Sequence, residues 1–153
     1  MEKTLVIIKP CALQRALTGE VIKRFEQKGL RLAGIKMMQL DDRILTEHYA
    51  HLAERPFFQR IKDSMMITPV IVTCWEGKDA VKVVRAMTGS TNGREAVPGT
   101  IRGDFSLSVQ ENIIHTSDSV ETADVELARF FSDDEIFAYN YQSLPFLYAN
   151  DEI

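Results

Sequence analysis

The chain has 153 residues, 45% of them hydrophobic and 26% charged, with a formal net charge of −4. That length and composition suit a globular protein with a real core. The acidic balance argues against a dedicated nucleic-acid binder but not against a site for a small anion, because a few clustered cations focus field locally.

Thr4-Leu-Val-Ile-Ile8 is a short apolar run that ends at Lys9-Pro10 and reads as a buried strand. Thr18-Gly19-Glu20 opens a helix carrying Val21, Ile22 and Phe25 and stopping at Gly29. Residues 30–38 read as a second strand interrupted at Gly34, and residues 42–66 as two helical pieces. Ile44, Leu45, Tyr49 and Leu52 form the first stripe; Pro56 starts the second piece, with Phe58, Ile61 and Met65 at helical spacing. Residues 69–75 give another strand, and Lys78–Met87 a helix between Gly77 and Gly89. Residues 88–112 show no sustained period, and a loop that long in a compact domain is usually functional or disordered. Asn112–His115 is a short strand, followed by a helix with Val120, Ala123, Leu127 and Phe130 on one face; the tail from Ser132 is irregular, aromatic and partly acidic.

This order holds two βαβ halves. With right-handed crossovers it implies an α+β, ferredoxin-like βαββαβ sandwich: a four-stranded antiparallel sheet covered by helices, with an inserted helix pair and a long loop. No linker marks a second domain, so residues 1–153 are expected to form one. Cys11 and Cys74 are too few for a disulfide scaffold and read as reduced thiols. No apolar run approaches the ~20 residues of a membrane span. Met1-Glu2-Lys3-Thr4 lacks the layout of a signal peptide, so a cytoplasmic protein is expected.

For chemistry, Asn112-Ile-Ile-His115-Thr-Ser-Asp118-Ser119 places a histidine where a strand meets a helix start. Asp118 suits an N-cap, with Glu121 three residues on. A helix N-terminus favours an anion, beside which His115 could act as nucleophile, base or phosphate donor. On local pattern alone, a histidine that merely closes a core strand is the favoured reading. Lys9, Arg85 and Arg102 fall at element ends or in the loop, where phosphate clamps are built. Arg15, Arg24, Arg43, Arg55 and Arg60 are equally available by composition. Phe57-Phe58 offers either a ring for stacking on a base or two core rings. Met37-Met38 and Met65-Met66 read as core filling. No P-loop or post-strand GxGxxG is present. His48 and His51 are weak evidence for zinc.

The signature Asn112–Ser119 resembles that of the nucleoside diphosphate kinases. Ile8-Lys9-Pro10, Thr91-Asn92, Arg55-Pro56-Phe57-Phe58 and Pro98-Gly99-Thr100-Ile101-Arg102-Gly103-Asp104 agree with the family in order and spacing. The resemblance implies a phosphotransferase that maintains nucleoside triphosphate pools. A triphosphate gives its γ-phosphoryl group to Nδ1 of His115, and a diphosphate takes it away, a ping-pong reaction through phosphohistidine. By the same resemblance, Glu126 and Ser117 orient the histidine. Lys9, Tyr49, Arg85, Thr91, Arg102 and Asn112 contact phosphates, ribose or the phosphoryl in transit, and Phe57 and Val109 sandwich the base. Mg²⁺ arrives on the nucleotide phosphates, with Asp118 the nearest indirect protein contact. The implied partners are ATP and other nucleoside di- and triphosphates, and further copies of the chain, with a hexamer favoured over a tetramer. Cys11-Ala12, Gly93 and Thr116 depart from residues common in the family, the last standing where glycine is usual.

Overall fold

The structure is a computed structural model describing residues 1–153. Strand β1 (Glu2–Ile8) pairs antiparallel with β3 (Val70–Gly77) at the sheet centre. β2 (Arg31–Met38) lies along the outer side of β3, and β4 (Ile114–Thr116) along the outer side of β1. The order is thus β2-β3-β1-β4, all antiparallel, as the ferredoxin-like reading requires. β1 and β3 are near-continuous apolar runs because both their faces are covered.

Alternation along β1 builds two cores. Leu5 and Ile7 join Leu45, Tyr49, Met65, Leu127 and Phe130. Val6 and Ile8 join Val21, Phe25, Trp75, Val84 and Ile114. The helices on the first side are α3 (Asp42–His48), α4 (Phe58–Met66) and α7 (Val120–Phe130); on the second they are α1 (Pro10–Gln14), α2 (Thr18–Lys28), α5 (Ala80–Thr88) and α6 (Ile101–Phe105). A last turn, α8 (Leu144–Leu147), sits in the tail. No helix is long and apolar enough to cross a membrane.

Helix ends follow the expected chemistry. Gly29 closes α2 at φ 101°, the left-handed conformation that glycine adopts without strain. Asp41 caps α3 by accepting from the Ile44 amide at 2.9 Å. The inserted pair α3/α4 is pinned by buried Lys62, whose Nζ reaches Asp42 at 2.7 Å and Thr46 at 3.2 Å.

Several boundaries differ from the sequence reading. α1, α6 and α8 were not anticipated; each is five residues or fewer, too short to show a period. The 88–112 stretch is therefore not loop throughout. Pro56 does not begin α4, which starts at Phe58 after a turn. The irregularity in β2 is a register shift between Leu32 and Gly34, so the extra residue is Ala33. β4 starts at Ile114 rather than Asn112, because residues 112–114 are consumed by a turn.

Candidate active site

His115 is aimed by its strand. It pairs with Ile7 in the β1–β4 register, and the alternation that buries Ile114 in the second core turns His115 to the opposite face. Just before it, the Ile114 amide donates to the Asn112 carbonyl at 2.9 Å, and Ile113 between them has φ 75°. This is a three-residue γ-turn, strained for a β-branched side chain. On α7, buried Glu126 accepts a hydrogen bond at Oε2 from His115 Nε2. A carboxylate only accepts, so Nε2 holds the proton and Nδ1 keeps its lone pair. Nδ1 has no protein partner, and the ring lines a cleft of about 960 Å³. The expected cap is corrected here: Ser119, not Asp118, is the N-cap of α7, its hydroxyl accepting from the Thr122 amide at 3.0 Å. Asp118 is left exposed on the cleft lining.

Cations gather on the same cleft. Lys9, Arg85 and Arg102 all line it, with Thr91 and Asn112. Lys9 Nζ donates to Asn112 Oδ1 at 2.7 Å and to the Gln110 carbonyl at 3.1 Å. Burial, reinforced by the charge of Arg102, lowers its pKa to about 8. Asn112 Nδ2 donates to the Thr91 carbonyl at 3.0 Å, which ties the loop to the turn before β4. Arg85 is exposed and makes no side-chain hydrogen bond or ion pair, so its guanidinium is free for a ligand. Arg102 is different. It is buried, and its guanidinium donates to the carbonyls of Asn112 at 3.1 Å, Gly89 at 3.2 Å and Ile114 at 2.8 Å. Two N–H groups of the fork are left without a protein partner, and the residue lines the cleft. Gly103 permits this placement: a Cβ there would lie 2.0 Å from the Val97 carbonyl oxygen.

Phe57 and Val109 also line the cleft, Phe57 at the N-cap of α4 and Val109 on the loop before β4. Arg60, one turn after Phe57, donates from Nε to Gln110 Oε1 at 2.8 Å and bridges those two walls. Phe58 instead packs against the first core. Tyr49 closes α3, is buried, and has its hydroxyl pKa raised by burial and by the Glu126 charge. Ser117 is the one expected site residue outside the cleft lining; its hydroxyl is buried and unpartnered.

His48, Arg60, Gln110 and Arg129 also line the cleft, although none of the four was assigned a place in the site from sequence. His48 Nδ1 lies 3.4 Å from Glu126 Oε2, and its ring centroid 4.4 Å from that of His115. A sequence signal existed for two of them: Arg60 and Arg129 each stand one helical turn after a residue already singled out, Phe57 and Glu126.

An uncoordinated imidazole nitrogen, held in one tautomer among cations and beside an aromatic wall, defines a site for phosphoryl transfer from a nucleotide-like substrate. The profile of the nucleoside diphosphate kinase family matches residues 2–136, and the chain belongs to that family. It is 69% identical over 152 residues to the nucleoside diphosphate kinase of Parabacteroides distasonis, covering 99% of each chain. It is 48% identical over 147 residues to human nucleoside diphosphate kinase A, covering 96% of this chain and 97% of that one. Its fold superposes on the nucleoside diphosphate kinase of Halobacterium salinarum in complex with CDP at a TM-score of 0.94, with 38% identity, covering 96% of this chain and 98% of that one.

Proposed function

We propose that the chain transfers the γ-phosphoryl group of a nucleoside triphosphate to a nucleoside diphosphate through phosphohistidine at His115, and so maintains triphosphate pools. The observation that carries this reading is the Glu126 bond to His115 Nε2, which leaves the Nδ1 lone pair available in a cationic cleft. Nδ1 forms a bond to the γ-phosphorus as the bond to the bridging β,γ-oxygen breaks, and the diphosphate leaves. The ring is then cationic, and the Glu126 carboxylate balances it through Nε2–H. A terminal oxygen of the incoming diphosphate next attacks phosphorus, and the electron pair returns to Nδ1. Lys9, Arg85 and Arg102 neutralise charge on the moving group, while Asn112 and Thr91 hold the cations and loop in register.

Mg²⁺ is read as arriving with the nucleotide. The donor set fits that: Asp118 offers one exposed oxygen ligand on the cleft, whereas the trio of buried His48 and Glu126 with half-buried His115 is nitrogen-rich and unsuited to a hard cation. When bound, the ion neutralises phosphate charge.

The direct test is incubation with γ-labelled ATP and Mg²⁺ without acceptor. An acid-labile, base-stable label on the protein, discharged by GDP, is expected. ATP binding without label would overturn the reading.

Two further results are expected. Phe57→Ala should weaken all nucleotides alike, by on the order of 1–3 kcal/mol in calorimetric titration, since stacking ignores base identity. Raising the pH through 8 strips the proton from Lys9. Its folded pKa is lowered, so charge and phosphate affinity are present below about 8 and lost above it. KM for the diphosphate should rise about tenfold between roughly pH 7 and 9, and Lys9→Arg should flatten that rise.

We further infer a cytoplasmic homo-oligomer, a hexamer in preference to a tetramer. Support comes from apolar side chains left exposed on edge strand β2 (Ile35 at 49% and Met37 at 63%) and in the tail (Phe146 at 89%), which need a partner to cover them. Light scattering decides the subunit count.

A further inference from the structure

Two histidines converge on one carboxylate oxygen. Glu126 Oε2 accepts from His115 Nε2 and lies 3.4 Å from His48 Nδ1. The His48 side chain is 1% exposed, walled by the rings of Tyr49, His115 and Phe130 with centroids 4.7, 4.4 and 5.1 Å away. Burial lowers its pKa to about 2, with the charges of His115, Arg129, His51 and Lys9 acting in the same sense. The ring is therefore neutral and carries a single proton. On Nδ1 that proton would face Glu126. On Nε2 it meets nothing, because Nε2 is buried without a hydrogen-bond partner. Taken alone, the ring gains by placing its proton on Nδ1 and donating to Glu126, in competition with His115.

Arg129 opposes that choice. It stands one turn after Glu126 on α7; its Nη1 lies 3.0 Å from His48 Nδ1, and its Nε donates to Glu47 at 3.1 Å. A guanidinium only donates, so Nδ1 must accept. We propose that Arg129 is a positioning residue: it locks His48 as the Nε2–H tautomer and so reserves Glu126 Oε2 for His115. The unpartnered Nε2–H is what the lock costs, and it is why an arginine is needed to impose it. With Glu126 undivided, His115 keeps its proton on Nε2 and its lone pair on Nδ1. The catalytic consequence rests on the function proposed above; the tautomer does not.

The test is ¹⁵N NMR of the full chain with labelled histidine, read alongside steady-state kinetics. In the unsubstituted protein, His48 Nδ1 should resonate as an unprotonated nitrogen. In Arg129→Leu it should move to the protonated position, with kcat down on the order of tenfold and KM little changed. Arg129→Lys, which can still donate to Nδ1, should restore both in part. His48→Phe keeps a ring but removes the competing donor, so adding it to Arg129→Leu should recover kcat. If Nδ1 stays unprotonated in Arg129→Leu, or if His48→Phe brings no recovery, the proposal falls. If the tautomer shifts as expected but the unsubstituted protein takes no label from ATP, the function fails and the assignment of Arg129 stands.

Discussion

His115→Ala is expected to lower turnover by about 10⁴-fold or more while nucleotide still binds. The alanine removes the only nitrogen placed to form the covalent intermediate, and no neighbour can replace it. His48 is the nearest imidazole, but it is buried, with Nδ1 committed to Arg129. The groups assigned to phosphate and base, Lys9, Arg85 and Phe57, are untouched, so calorimetric affinity for a diphosphate should change little. Stopped-flow mixing with triphosphate should show binding and no protein-bound phosphate. Turnover at the unsubstituted rate would sink the phosphohistidine route altogether.

Arg102→Lys is the second large effect, and it should be felt in stability as well as rate. The guanidinium serves three carbonyls from two stretches of chain: Gly89 after α5, and Asn112 and Ile114 on either side of the γ-turn that leads into β4. One ammonium on a flexible stem cannot reach all of them. The Asn112 carbonyl keeps the Ile114 amide, so Gly89 and Ile114 carry the carbonyls that lose their partner; at about 1–3 kcal/mol each, a total loss of about 3 kcal/mol is expected. Because the same bonds hold the turn before His115, kcat should fall beyond what a lost phosphate contact explains. Thermal unfolding with and without nucleotide separates the effects: a mere phosphate ligand would lower Tm only in the nucleotide's presence.

The central architecture was legible because its determinants are local. β1 and β3 are near-continuous apolar runs, α2 has a clear stripe and a glycine stop, and α7 has four apolar positions on one face. Short elements were not, since a five-residue helix such as α6 is defined by Thr100 capping Gly103 and by tertiary contacts rather than by periodicity. The Asp118 cap failed because Ser119, one residue later, offered an equally good acceptor, and propensity does not choose between adjacent capping residues. Lys9, Arg85, Arg102 and His115 could be picked from their places at element ends and from family resemblance. The pairing of His48 with Arg129 could not, because it depends on α3 meeting α7, a contact between residues 81 apart in sequence.

The γ-turn at Ile113 carries an implication for engineering. Holding a β-branched residue at φ 75° costs on the order of 1–3 kcal/mol, which the surrounding core must over-determine. Selection for heat resistance alone would therefore find relief at this spot attractive, through residues that sit easily in the left-handed region. The same relief would loosen the aim of the next-but-one side chain, which is His115. Thermostability and turnover are set against each other at one backbone angle, and gains in the first are safer sought on the far side of the sheet.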